Sequence, residues 1–156
     1  IPVILDFGAA GKGYLIDIVG KILEDNDIKA FCIDAGGDIL HRGSESIRIG
    51  LENSTNSDEV IGIVNIKNQS ICGSSGNRRV WGDFNHIINP KTLSSPKDIL
   101  AVWTISETTL IADAMSTCLF FVKPEIMEEK YNFDYLIVYS DRTYIKSNDF
   151  KAEMFG

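Results

Sequence analysis

Ile99-Leu100-Ala101-Val102-Trp103-Thr104-Ile105 runs straight into Ser106-Glu107-Thr108-Thr109-Leu110-Ile111-Ala112-Asp113-Ala114-Met115-Ser116-Thr117-Cys118, and the change of pattern between the two halves sets the fold class. The first half is an apolar, β-branched run that reads as a strand. The second reads as a helix capped by Ser106 or Thr108, with Leu110, Ile111, Ala114, Met115, Cys118, Leu119 and Phe120 making it greasy. Asp113 sits inside that helix, where burial is costly unless something positive neutralises it. Asp113 and Thr117 are i and i+4, so their oxygens share one helix face and suit a hard cation such as Mg²⁺ or Ca²⁺. A second reading stands beside it: Thr117 bonds back to the Asp113 carbonyl, and Asp113 pairs with a lysine.

Working outward, Val3 to Phe7 reads as a strand and Lys12 to Asp25 as an amphipathic helix with Leu15, Ile16, Val19, Ile22 and Leu23 on one side. Strands are expected over Lys29 to Ala35, Asp38 to Arg42, Ser46 to Glu52 and Val60 to Ile66, with residues 53 to 58 as a polar surface turn. Ser70 to Gly73 and His86 to Ile88 continue the sheet, and a short helix starts at Pro124. Tyr135 to Tyr139 and Thr143 to Ile145 form a hairpin around Ser140-Asp141-Arg142. Strands outnumber helices and follow one another as hairpins. The expected class is therefore α+β, an antiparallel sheet layer with helices packed on one face, rather than a doubly wound parallel sheet. No repeat, low-complexity block or linker interrupts residues 1–156, which are expected to form a single domain.

The chain has 156 residues, 44% hydrophobic and 24% charged, enough for one domain with a real core. Its net charge of −7 argues against nucleic acid or an anionic membrane as a broad partner, so a phosphate ligand needs local help from backbone amides, a helix N-terminus or a metal. Cys32, Cys72 and Cys118 are too far apart for a CxxC-type site and are expected to be reduced, half-buried fillers. No stretch reaches the roughly 20 apolar residues that span a bilayer, and these residues lead us to expect no signal peptide or lipobox within them. Ile1-Pro2-Val3 opens without a methionine, which leads us to expect a fragment, a processed chain or a trimmed one, with any upstream targeting segment lost.

Three further clusters carry chemistry. Asp6-Phe7-Gly8-Ala9-Ala10-Gly11-Lys12-Gly13-Tyr14 is a glycine-rich strand-to-helix turn suited to phosphate, or simply a tight connection. It is neither a Walker A loop nor GxGxxG. Asp34-Ala35-Gly36-Gly37-Asp38 is a turn whose glycines permit a bulge or ligand approach and whose aspartates can equally satisfy turn amides. Gly73-Ser74-Ser75-Gly76-Asn77-Arg78-Arg79, then Asn85-His86-Ile87-Ile88-Asn89-Pro90-Lys91-Thr92, offers arginines for phosphate and His86 as an acid–base group or a structural histidine.

Taken in order, DFGAAGKGY, DAGGD, SSGN, HIINPKT and ADAMST closely resemble the ApbE family of FAD:protein FMN transferases, from about Asp6 to Phe121. The resemblance implies an ApbE-like, T-fold-related domain that matches the C-terminal part of the family's usual chain. It implies a Mg²⁺-dependent enzyme that cleaves FAD and transfers FMN to a threonine or serine of an acceptor protein, releasing AMP; some members hydrolyse FAD to FMN and AMP instead. By the same resemblance the metal falls to Asp113, Thr117 and the backbone carbonyl of Gly11, and the acid–base role to His86. Lys12, Gly37 and Asp38 shape the nucleotide site, while Ser75 and Gly76, with His86, line the flavin or phosphate.

This chain departs from the family at Asn89-Pro90-Lys91-Thr92-Leu93, where Asp-Pro-x-Thr-Gly is common, a change expected to reshape that loop. Gly11 replaces the usual alanine and keeps a carbonyl. No counterpart is read here for the family's amino-terminal region, which adds part of the FAD pocket, so the chain is expected either to hold a metal and bind flavin poorly or to take the missing part from another chain or a homo-oligomer. A non-catalytic flavin-binding domain with an incomplete site is the alternative. Family members are mostly exported and lipid-anchored, with some cytoplasmic, and the sequence assigns no location.

Overall fold

A computed structural model describes residues 2–3, 6–77 and 79–155. Helix α1 (Gly11–Asp25) leads into β1 (Phe31–Asp34), β2 (Ile39–Arg42), β3 (Ile47–Asn53), β4 (Asn56–Ile66) and β5 (Ser70–Ser75). A small excursion, β6 (Val80–Trp81) and β7 (Phe84–Asn85), precedes β8 (Ile99–Ser106) and α2 (Thr109–Cys118). The chain ends with α3 (Pro124–Glu128), β9 (Asp134–Tyr139), β10 (Tyr144–Lys146) and β11 (Glu153–Met154). β1, β2, β5, β8, β9 and β10 form a six-stranded sheet in that order, antiparallel at every pairing, and β11, β4 and β3 form a second sheet of three.

The deciding stretch behaves as expected and does one thing more. β8 is the most buried strand because both of its faces are covered. Ala101, Trp103 and Ile105 point into a core shared with Leu51 and Val64 of the second sheet, whereas Val102 points into a core with Met115 of α2 and Leu119 just after it. Neighbouring β9 repeats the alternation, Leu136 toward the second sheet and Ile137 toward α2. The fold thus has three layers, the helices on one face of the large sheet and a small sheet on the other. That small sheet was not anticipated as a separate layer. Phe150, beyond the last expected hairpin, is fully buried between the two sheets.

Several boundaries move. β4 begins at Asn56 rather than Val60, so the polar stretch 53 to 58 is mostly strand, with its turn at Ser54–Thr55. His86 to Ile88 is not a strand: the excursion pairs Val80 with Asn85 and Trp81 with Phe84, and the chain leaves the hairpin just before His86. The strand expected over Val3 to Phe7 falls in part on residues 4 and 5, outside the described ones, and Val3, Asp6 and Phe7 carry no strand structure. Cys72 is buried and Cys32 exposed, so only Cys118 is half-buried, and all three are free.

Helix α1 is also rotated from expectation. Its buried stripe is Gly13, Ile16 and Gly20, while Leu15, Val19 and Ile22 are exposed. The reason is clearance: a Cβ on Gly20 would lie 2.6 Å from Leu40 Cδ2, and one on Gly13 would lie 2.3 Å from the Thr109 carbonyl oxygen. Small residues face inward because the helix backbone lies almost on β2 and α2.

Candidate functional site

The site is built where α1 crosses α2. Gly13 allows the two backbones to touch, and its N–H donates to Asp113 Oδ2 at 2.8 Å. Asp17, one turn later on α1, accepts from the N–H groups of Thr109 and Leu110 at 2.8 and 2.9 Å, filling two of the orphan donors at the start of α2. Thr108 is the N-cap residue, its hydroxyl accepting from the Ile111 N–H at 3.4 Å, so of the two expected caps Ser106 is not used. Asp17 was missed from sequence because a lone acid on an amphipathic helix reads as a solvated face.

Asp113 is 6% exposed. Burial pushes its carboxyl above the ordinary value; the Gly13 N–H pulls it back, the Asp38 charge raises it further and the Lys12 ammonium partly offsets that. Among the described residues Oδ1 accepts no hydrogen bond. The lysine reading is corrected here: Lys12 Nζ lies 2.7 Å from Asp38 Oδ2, not on Asp113. Thr117 does not bond back to Asp113 either. That role falls to Ser116, whose hydroxyl donates to the Asp113 carbonyl at 2.9 Å.

Asp38 is 1% exposed, and its Oδ2 meets Lys12 as a charge pair without a well-directed hydrogen bond. The DAGGD turn divides its two acids. Asp34 Oδ1 accepts from the Gly37 N–H at 2.9 Å, a turn role, while Asp38 turns inward to Lys12. Gly36 and Gly37 sit at φ of +73° and +95°, which only glycine adopts cheaply. Beneath them Cys72 donates weakly to the Thr109 carbonyl; burial, then the Asp38 and Asp113 charges, hold its thiol far above its usual range. It therefore contributes no thiolate.

A cleft of about 560 Å³ lies between the large sheet and β3, lined by Gly37, Arg48, Ser74, Ser75 and Trp103 among others; Lys12, Asp38, Asp113 and Thr117 are not in its lining. Gly37 and Ser75 both line this cavity. Gly76 does not line it: Gly76 is buried, and a Cβ there would come 2.7 Å from Asn85 Nδ2. His86 is exposed at the end of the β6–β7 excursion, outside that lining, with its N–H donating to the Arg79 carbonyl at 3.2 Å. Arg79 is exposed, and Arg78 lies outside the described residues.

The loop after His86 keeps a closed turn despite its altered sequence. Asn89 Oδ1 accepts from the N–H of Lys91 at 2.9 Å and, more weakly, from that of Thr92 at 3.4 Å, while the Leu93 N–H donates to the Asn89 carbonyl at 2.8 Å. Leu93 adopts φ +55°, the conformation a glycine would favour. Leu93 thus stands in a left-handed backbone within a turn that closes.

Asp113, Thr117 and Gly11 carry oxygens of the type a hard divalent cation takes. Asp113 offers an open carboxylate oxygen, Thr117 a hydroxyl half-buried one turn on, and Gly11 begins α1 two residues before the amide that binds Asp113. Among the described residues no three His, Cys, Asp or Glu side chains converge on one point. One carboxylate with otherwise neutral oxygens is a donor set that Mg²⁺, which keeps waters and substrate phosphates, would accept more readily than a cation that needs an all-protein cage.

The ApbE family's sequence profile matches residues 2–136. The FAD:protein FMN transferase of Escherichia coli K12 is 26% identical over 145 residues, covering 86% of this chain and 41% of its own length. That of Haemophilus influenzae Rd is 28% identical over 159 residues, covering 92% of this chain and 46% of its own. The solved ApbE protein of Thermotoga maritima superposes with a TM-score of 0.85 at 25% identity, over 94% of this chain and 52% of that one. The flavin transferase ApbE of Vibrio cholerae gives 0.75 at 21% identity and the same coverage. The chain spans about half the length of the relatives it matches. With its mixed, antiparallel architecture and this match over most of its length, the chain belongs to the ApbE family.

Proposed function

We propose that this chain is the catalytic part of a magnesium-dependent flavin transferase, a single ApbE-like domain that cleaves FAD and joins FMN to a threonine or serine of an acceptor protein. The observation that carries the reading is the buried Asp113 carboxylate with one open oxygen, one helical turn from the Thr117 hydroxyl, in a chain whose relatives bear that activity as their name. Asp113, Thr117 and the Gly11 carbonyl would hold Mg²⁺. When bound, the ion neutralises the pyrophosphate and stabilises the departing phosphate.

The remaining roles belong to the chain itself. Lys12, held by buried Asp38, presents an ammonium whose charge acts on Asp113, and the cleft lined by Gly37 and Ser75 would take the flavin or phosphate. His86 takes the proton of the acceptor hydroxyl. The acceptor oxygen then bonds to the FMN phosphorus, the bond from that phosphorus to the bridging oxygen breaks, and AMP leaves with the bridging oxygen and its electron pair. Gly76 shapes this region by seating Asn85.

The test is mass spectrometry after incubating the chain with FAD, Mg²⁺ and a threonine-bearing acceptor peptide. Flavinylated peptide with AMP is the expected result. AMP with free FMN alone would make the protein a hydrolase, and flavin retained without AMP would make it a binding domain.

A further inference from the structure

Ser74, on β5, projects a hydroxyl between two residues of α2: its Oγ lies 2.7 Å from Ser116 Oγ and 3.3 Å from Thr117 Oγ1. Each hydroxyl has a single proton to give. The Ser116 proton is committed, because its partner at 2.9 Å is the Asp113 carbonyl, which can only accept. Ser116 must then accept from Ser74 across the 2.7 Å contact. Ser74, its own proton spent, can only accept from Thr117. Among the described residues Thr117 Oγ1 has no other hydrogen-bond partner, so the chain of donors runs one way: Thr117 to Ser74, Ser74 to Ser116, Ser116 to the backbone of Asp113.

That direction has a chemical consequence. A hydroxyl ligates a cation through its lone pairs, and it does so poorly when its proton is aimed at the ion. With the proton drawn off toward Ser74, both lone pairs of Thr117 are left free. Ser116 closes the loop on the residue that supplies the carboxylate, so the two helix positions are oriented by one relay.

We propose that Ser74, through Ser116, is a positioning residue that fixes the Thr117 hydroxyl as an acceptor toward the divalent cation held with Asp113. The inference rests on the metal assignment under the proposed function. Ser74 does not ligate the cation in this scheme; it sets the rotor of the group that does. Ser116→Ala is informative for the same reason, since it frees the Ser74 proton to point at Thr117 and reverses the relay.

The experiment is titration of the purified chain with Mn²⁺, following loss of the free aqua-ion signal by electron paramagnetic resonance, with a thermal melt of each variant as a fold control. Ser74→Ala and Ser116→Ala are expected to bind Mn²⁺ about 10-fold more weakly, the lower end of the effect of outer-shell partners. Ser74→Thr, which keeps the hydroxyl, is expected to bind as the parent does. Ser74→Ala binding at the parental affinity while the parent binds normally would overturn the relay and leave the metal assignment standing. A parent chain that binds no Mn²⁺, or an Asp113→Asn variant that binds it undiminished, would overturn the metal assignment and the relay with it.

Discussion

Asp113 carries two opposing effects, and their balance gives a prediction at the scale of one side chain. Burial raises its folded-state pKa above the ordinary 3.8, so the folded chain holds that proton more tightly than the unfolded chain does. Ionised Asp113 therefore subtracts from stability at any pH above the folded pKa, and the penalty fades as pH falls from there to 3.8. In chelator, Asp113→Asn is expected to be at least as stable as the parent at pH 7, with the difference narrowing toward pH 4, as read by urea melts. The asparagine keeps an acceptor for the Gly13 N–H, which the loss of charge does not disturb. A parent that is clearly more stable than the variant at pH 7 without metal would mean that burial is not the dominant effect on this carboxylate. The Asp113–Thr117 pair was legible in the sequence because an acid and a hydroxyl at helical spacing stand out against an apolar helix. Ser74 and Ser116 were not, since small hydroxyls carry no periodic signal and their partners lie about 40 positions apart in the chain.

At the scale of elements, the seating of α2 depends on α1. Asp17→Ala removes both side-chain acceptors at the start of α2 and is expected to cost about 1–2 kcal/mol, measured by denaturant unfolding, with weaker cation binding as the helix loses its anchor. The loop around Asn89 makes the opposite prediction. Leu93 is 72% exposed and held at φ +55°, so its side chain gains little from packing while its backbone is strained. Leu93→Gly is expected to stabilise by about 0.5–1 kcal/mol, the relief of a left-handed residue less the entropy that glycine returns to the unfolded chain. Sequence reading placed the strands of the large sheet within a few residues because each has several residues of pattern. It misplaced His86 because the β6 and β7 strands have two residues each, too short for any alternation to register, and the Ile87-Ile88 pair imitated one.

At the scale of the whole molecule, the large sheet is stabilised from both sides, and the least obvious contributor closes one of them. Phe150 follows the last long hairpin, and a two-residue strand, β11, ties the segment after it to β4. Phe150→Ala is expected to cost about 3–5 kcal/mol, read as a lowered urea midpoint, because it empties a fully buried site between two sheets. No helix among the described residues is long and apolar enough to cross a membrane. The α+β class and the helix-bearing face were legible from hairpin order alone, whereas the second sheet was not, because periodicity shows which residues are buried and not what covers them. The inward glycines of α1 were hidden for a related reason: close approach of two backbones favours residues that hydrophobic patterning ignores.

The most direct measurement is AMP release from FAD by the parent chain and by Asp113→Asn across a Mg²⁺ titration. Release by the parent that saturates with Mg²⁺, and a loss of at least about 100-fold in the variant, is the expected result. AMP release by Asp113→Asn at the parental rate, or release by the parent that is indifferent to Mg²⁺, would contradict the assignment of the α1–α2 crossing as the metal-bearing centre of this protein.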